Sequence, residues 1–90
     1  MNLSDEQKED LRHAIGRALA VRFPAAIGLK AISRIIRKEI DFEFDDADVT
    51  AALTLLQGLS LVGPVQDELG KTVYWRASSV AVLKREHGVI

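Results

Sequence analysis

Hydrophobic residues recur at helical spacing in three separate stretches of this chain. The first set consists of Leu11, Ala14, Ile15, Ala18 and Leu19. Steps of three and four residues place such a set on one face of a helix, which we predict over about residues 4–22. Ser4 and Gln7 have the spacing of a capping box, and Pro24 disfavours helix at the residue before it. These residues mark the two ends of the predicted helix.

The second stretch predicts a helix over about residues 27–39 with one apolar and one basic face. At 100° per residue, the apolar face consists of Leu29, Ile32, Ile36 and Ile40. The opposite face consists of Lys30, Arg34, Arg37 and Lys38. These four cations can neutralise DNA phosphates, although a charged face opposite an apolar one also simply keeps a surface helix soluble.

The third stretch predicts a helix over about residues 46–57, with Asp45 or Asp46 as its N-cap. Its inward positions are Val49, Ala52, Leu53 and Leu56. Its outer positions are Ala47, Thr50, Ala51, Thr54 and Gln57, with Leu55 at the margin. Gly58 follows, and we expect it to end the helix in the left-handed conformation.

The rest of the chain predicts a β-hairpin and a last short helix. Residues 59–65 are mainly apolar, residues 66–71 are polar and contain Gly70, and residues 72–76 are β-branched and aromatic. This order is typical of two antiparallel strands joined by a loop. Ser78 or Ser79 can cap a helix that continues to about residue 86.

Length and composition indicate one domain, residues 1–90, with a single core. There is no cysteine, which excludes disulfides, thiolate metal sites and thiol nucleophiles. The first residues are acidic and polar rather than basic and apolar, and no apolar run approaches the roughly 20 residues of a membrane span. We therefore expect a cytoplasmic protein with no membrane partner.

The net charge of -1 results from three blocks of opposite sign. Residues 1–40 hold eight Lys/Arg and five Asp/Glu, residues 41–70 hold seven Asp/Glu and no cation, and residues 71–90 hold four Lys/Arg and one Glu. The blocks therefore carry +3, -7 and +3. Because nucleic-acid binding needs local rather than total positive charge, the placement of each block matters.

Two groups of residues resemble the winged helix-turn-helix superfamily of small bacterial transcription regulators. Leu53, Leu56, Leu61 and Val62 match its leucines at the end of the third helix, with Ser60 at the usual glycine and Gly58 taking over the turn. Val65, Gly70 and residues 74–78 match the wing. The resemblance implies an α+β, mainly α fold with a three-helix core, a two-stranded β-hairpin wing and a short C-terminal helix.

The resemblance also implies double-stranded DNA as a partner. In the superfamily the third helix usually enters the major groove, so Thr50, Thr54 and Gln57 are the expected base readers, beside Ala47 and Ala51. The wing would contribute Lys71. The expected phosphate contacts on the second helix are Lys30, Arg34, Arg37 and Lys38.

An alternative function is a protein-interaction or dimerisation module that does not bind DNA. The third helix carries no Lys or Arg, and carboxylates surround its start: Asp41, Glu43, Asp45, Asp46 and Asp48. Its small, neutral outer face can instead pack on a second copy or another protein. The expected contact residues are then Ala47, Ala51, Thr54 and Leu55.

The sequence gives no pattern typical of an enzyme, and we expect no catalytic residue, metal, cofactor or small-molecule substrate. The two histidines, His13 and His87, lie far apart in the chain, and no Ser-His-Asp set can be assembled from them. The acidic run from Asp41 lacks the glycine at position six and the glutamate at position twelve of a calcium loop.

Overall fold

A computed structural model describes residues 3–66, 69–70 and 72–88 of the chain. The elements are α1 (Asp5–Val21), β1 (Ile27–Gly28), α2 (Leu29–Ile36), α3 (Asp46–Gly58), β2 (Val62–Gln66), β3 (Val73–Ala77) and α4 (Ser79–Glu86). The three predicted core helices, the hairpin and the short last helix are therefore all present.

The first helix begins at the predicted capping box. The Gln7 backbone N–H donates to Ser4 Oγ at 3.1 Å, and the Ser4 N–H donates to Gln7 Oε1 at 2.9 Å. These two bonds satisfy N–H groups that would otherwise lack a partner at the helix start. The same helix buries Leu11, Ile15 and Leu19 almost completely against α2, α3 and β3.

The hairpin is part of a three-stranded antiparallel sheet with the order β1-β3-β2. In β1, Ile27 lies opposite Trp75 and Gly28 opposite Tyr74. The predicted second helix, residues 27–39, is therefore too long at both ends, because its first two residues pair with β3 and α2 ends at Ile36. A two-residue strand has no periodicity of its own, so only its partner reveals it.

The third helix is capped by Leu59, and the residue after this C-cap, Ser60, is left-handed. The Leu61 N–H donates to the Leu56 carbonyl and the Ser60 N–H to the Gln57 carbonyl, both at 3.0 Å. This pair of bonds requires a left-handed residue at position 60, and Ser60 has a φ of 61°. The prediction that Gly58 takes this conformation is wrong, because Gly58 is still helical.

One carboxylate joins α2 to the start of α3. Asp46 Oδ1 accepts a hydrogen bond from Ser33 Oγ at 3.1 Å, and Asp46 Oδ2 accepts one from Lys30 Nζ at 3.1 Å. Ser33 is buried, so its hydroxyl needs this partner, whereas the Lys30 side chain is 85% exposed. The bonds from Lys30 and Ser33 hold the pKa of Asp46 below its ordinary value of 3.8. We call these three residues the α2–α3 clasp.

The C-cap generates a prediction about Ser60 and Gly58. Ser60→Gly should stabilise the fold by about 1 kcal/mol, because only glycine adopts the left-handed conformation without steric cost. Gly58→Ala should stabilise it by about 0.5–1 kcal/mol, because Gly58 is helical and a Cβ there meets nothing within 4 Å. Thermal unfolding measures both changes. Destabilisation by both would show that Gly58, not Ser60, is the left-handed residue.

The clasp predicts how stability depends on pH. Because the folded pKa of Asp46 is lowered, its contribution is complete above the unfolded value and is lost as pH falls through the folded value. The difference in unfolding free energy between the wild type and Asp46→Asn should therefore stay constant from pH 7 to about pH 5, then shrink below 3.8. Urea unfolding at each pH measures it. Asp41→Asn, at an exposed position outside the clasp, is the control, and an equal response of both variants would contradict the assignment.

Candidate nucleic-acid interface

The third helix presents one wide exposed face that carries no charged residue. All four predicted inward residues, Val49, Ala52, Leu53 and Leu56, are buried in the core. The predicted outer residues are all exposed: Ala47, Thr50, Ala51, Thr54, Leu55 and Gln57. The helical pattern therefore assigned both faces of α3 correctly, and the structure brings the predicted base readers together on the outer one.

Both threonine hydroxyls on this face are hydrogen bonded to the helix backbone. Thr50 Oγ1 donates to the Asp46 carbonyl at 2.9 Å, and Thr54 Oγ1 donates to the Thr50 carbonyl at 2.9 Å. With each hydroxyl hydrogen used in this way, the side chains offer a ligand their oxygen lone pairs and methyl groups. Gln57 is the one predicted base reader on α3 that retains side-chain N–H donors for a ligand.

The carboxylates at the start of α3 accept hydrogen bonds from nearby groups of the protein. Asp45, one of the two predicted N-caps, is the N-cap: its Oδ1 accepts from the Asp48 N–H, and Asp48 Oδ2 accepts from the Asp45 N–H, both at 2.9 Å. The bond from the Asp48 N–H, before any other cause, holds the pKa of Asp45 below its ordinary value of 3.8. Together with the α2–α3 clasp, this arrangement gives the first-turn carboxylates defined structural roles.

The four cations predicted on the second helix have different surroundings. Lys30 belongs to the α2–α3 clasp, and the Arg37 guanidinium lies 5.1 Å from the centre of the Phe44 ring, which is buried. Arg34 and Lys38 are exposed, and within the described part of the chain their side chains have no ion-pair or hydrogen-bonding partner. Two of the four are therefore open to an external anion, while the other two also contact groups of the protein.

The wing supplies a cation that the sequence analysis did not assign to the interface. The predicted wing residue, Lys71, lies outside the described residues. Arg76 is exposed on β3 and shares a groove of about 620 Å³ with Gln57, Gly63 and Pro64. The alternation of β3 predicts an outward Arg76, but only the tertiary structure brings it to the C-terminal end of α3.

The opposite edge of α3 is apolar and borders α1. Leu55 is 46% exposed and Leu59 is 59% exposed, and both line a groove with Arg12 and His13. The predicted partner-contact residues, Ala47, Ala51, Thr54 and Leu55, thus lie on an accessible face. Leu59 was missed because the hydrophobic pattern assigned it to the first hairpin strand, which begins at Val62.

The described residues form no other chemical site. His13 lies 3.9 Å from Glu9 on the same helix, in a polar groove that also contains Arg17 and Glu39. Within residues 3–66, 69–70 and 72–88, no group of three or more His, Asp or Glu side chains is arranged to hold a metal ion. None of the helices described is sufficiently long and apolar to cross a membrane.

Comparison with known proteins gives structural matches only. A scan of protein-family models and a search of curated proteins found no match to this sequence. Among solved structures, two mutants of Lactococcus lactis ZitR share 23% identity with it. The match to the first mutant covers 98% of this chain and 52% of the ZitR chain, with a TM-score of 0.57. The match to the second mutant, in apo form, covers 89% of this chain and 58% of the ZitR chain, with a TM-score of 0.61.

A third match is the adhesin competence repressor AdcR from Streptococcus pyogenes. AdcR is 13% identical to this chain, and the match covers 97% of this chain and 56% of the AdcR chain, with a TM-score of 0.59. The chain thus spans about half the length of the proteins it matches. At these identities the likeness is one of fold. The order of three helices, hairpin and short helix, together with these matches, shows that the chain adopts the winged helix-turn-helix fold.

Proposed function

We propose that this chain is a DNA-binding regulatory domain that inserts α3 into the major groove. The observation that carries the proposal is the uncharged, exposed face of α3, with two unpaired cations, Arg34 on α2 and Lys38 just beyond it, and with Arg76 beside the C-terminal end of α3. An uncharged helix face can approach base edges while cations on either side contact the phosphates. The likeness to a repressor, AdcR, supports the same function.

In this proposal Arg34 and Lys38 make the leading phosphate contacts, and Arg76 contributes from the wing. Exposed cations without a protein partner lose no existing ion pair when they bind phosphate. Lys30, Arg37 and Lys71 remain proposed contacts, but Lys30 would have to share its charge with Asp46. The base readers are Thr50, Thr54 and Gln57, since these are the polar side chains on the exposed face of α3.

The acidic block does not prevent this mode of binding. Asp45, Asp46 and Asp48 accept hydrogen bonds within the protein, and Lys30 lies 3.1 Å from Asp46. These contacts offset part of their negative charge at the start of α3. At 0.1 M salt, exposed charges more than about 10 Å apart are largely screened, so the remaining repulsion acts only on the phosphates nearest these carboxylates.

A second candidate function is association through the apolar edge of α3. The specific observation is the exposure of Leu55 and Leu59 on one continuous groove with α1. Two exposed leucines on one groove are typical of a small contact surface, and Ala47, Ala51 and Thr54 would extend it. Such a dimer would cover Ala47, Ala51 and Thr54, so it competes with insertion of α3 into the groove, but it leaves Arg34 and Lys38 available for DNA phosphates.

The DNA proposal predicts a change in salt dependence when the unpaired cations are removed. Arg34→Gln/Lys38→Gln should make the slope of log affinity against log salt less steep by about 1.8, because each phosphate contact contributes about 0.9. Fluorescence anisotropy with mixed-sequence duplex DNA between about 50 and 200 mM salt measures the slope. Lys84→Gln removes one positive charge from an exposed position on α4 and is the control, which should keep the wild-type slope. A slope for the double variant that is no less steep than that of Lys84→Gln would contradict the assignment.

The association proposal predicts a dimer that depends on Leu55. Light scattering should give twice the mass of a 9.9 kDa chain for the wild type and the monomer mass for Leu55→Glu. The physical reason is that a carboxylate at Leu55 would be desolvated in an apolar contact. Val80→Glu, at a similarly exposed position on α4, is the control. A wild type that is monomeric at high concentration would exclude this candidate.

A further inference from the structure

We propose that the exposed face of α3 distinguishes base pairs chiefly by the thymine C5-methyl group, so that the preferred duplex is rich in A·T. This inference rests on the proposed function and adds the chemical class of sequence that is bound. It follows from three properties of the face: its methyl groups, the state of its hydroxyls and its lack of cations.

The methyl groups form the larger part of what α3 can offer a base edge. Ala47 and Ala51 contribute only a Cβ methyl, and both are exposed. Thr50 and Thr54 are exposed as well, and the backbone already uses their hydroxyl hydrogens at 2.9 Å. Each threonine therefore presents a methyl group and an acceptor oxygen rather than a donor. In the major groove, the complement of an apolar protein methyl is the methyl group of thymine.

Guanine is the base this face is least able to recognise. Its major-groove edge presents two acceptors, N7 and O6, and arginine or lysine is their usual partner. The exposed face of α3, from Ala47 to Gln57, contains neither. Gln57 supplies the one side-chain amide, and an amide is matched to adenine, which presents a donor beside an acceptor. Gln57 and the methyl groups of α3 thus both favour the A·T base pair.

Arg76 does not change this preference. It shares a groove with Gln57 but belongs to β3, and the same groove is lined by Pro64 and Gly63 of the wing. A wing cation at the end of α3 is placed for the phosphate backbone, which carries no sequence information of its own. Discrimination between bases is therefore assigned to α3 and overall affinity to α2 and the wing.

The test compares two pairs of duplexes, and the members of each pair differ only in the C5-methyl groups of their pyrimidines. Alternating d(A-T) is paired with d(A-U), which lacks the C5-methyl, and alternating d(G-C) is paired with d(G-5-methyl-C), which gains one. Anisotropy titrations with the intact chain at about 50 mM salt give the four affinities. We expect d(A-T) to bind more tightly than d(A-U) by about fourfold for each methyl group buried, and methylation of cytosine to increase affinity in the same direction.

The matched variant is Thr50→Ser/Thr54→Ser, which removes two methyl groups and keeps both hydroxyls. It should reduce the ratio of d(A-T) to d(A-U) affinity, because the lost methyl contacts exist only with the duplex that carries thymine. Arg34→Gln/Lys38→Gln should weaken all four duplexes equally and leave the ratio intact. Circular dichroism confirms that each variant is folded.

Each outcome is decisive. A methyl-dependent ratio that falls in the serine variant supports thymine readout. Equal affinity for all four duplexes overturns it and leaves the proposed DNA binding in place. A methyl-dependent ratio that persists both in the serine variant and in Ala47→Ser/Ala51→Ser also overturns it, since DNA shape rather than α3 would then be the cause. No binding to any duplex overturns this inference together with the proposed function.

Discussion

The hydrogen bond between Ser33 and Asp46 is the contact on which the helix-turn-helix depends. A buried hydroxyl on α2 needs an acceptor, and the first residue of α3 provides it at 3.1 Å. This bond fixes where α3 starts relative to α2. Because α3 buries Val49, Leu53 and Leu56 on its other side, the same constraint determines which side chains remain outside. The uncharged face is thus a consequence of how the two helices are joined.

The α2–α3 clasp also affects which cations on this side of the protein remain unpaired. Lys30, the cation nearest the start of the basic helix, is held by Asp46, and Arg37 is held over Phe44. Of the four cations that the sequence predicts on one surface, two therefore make contacts within the protein and two face the solvent. Exposed ion pairs contribute little to stability, so the value of the Lys30 contact lies in offsetting a carboxylate beside α3. Arg34 and Lys38 remain for an external anion.

Local patterns predicted this fold well where the interactions are local. The capping box at Ser4, the N-cap at Asp45 or Asp46 and the inward residues of α3 depend on neighbours within one or two helical turns. The sequence did not reveal β1, because Ile27 and Gly28 pair with residues nearly fifty positions later. The pairing of Lys30 with Asp46 and the place of Arg76 beside α3 were missed because they too depend on residues distant in the chain. The left-handed conformation was assigned to Gly58 because glycine adopts it most easily. The backbone hydrogen bonds at the end of α3 instead place this conformation at Ser60.

The measurement that tests the central claim most directly is NMR mapping of the amide groups during titration with mixed-sequence duplex DNA at low salt. The account predicts that shifts concentrate on the exposed face of α3, on residues 34–38 at and beyond the end of α2, and beside Arg76. It also predicts that they fade as salt is added, since phosphate contacts release counterions. Shifts confined to Leu55, Leu59 and α1, or none at all, would contradict DNA binding through the outer face of α3.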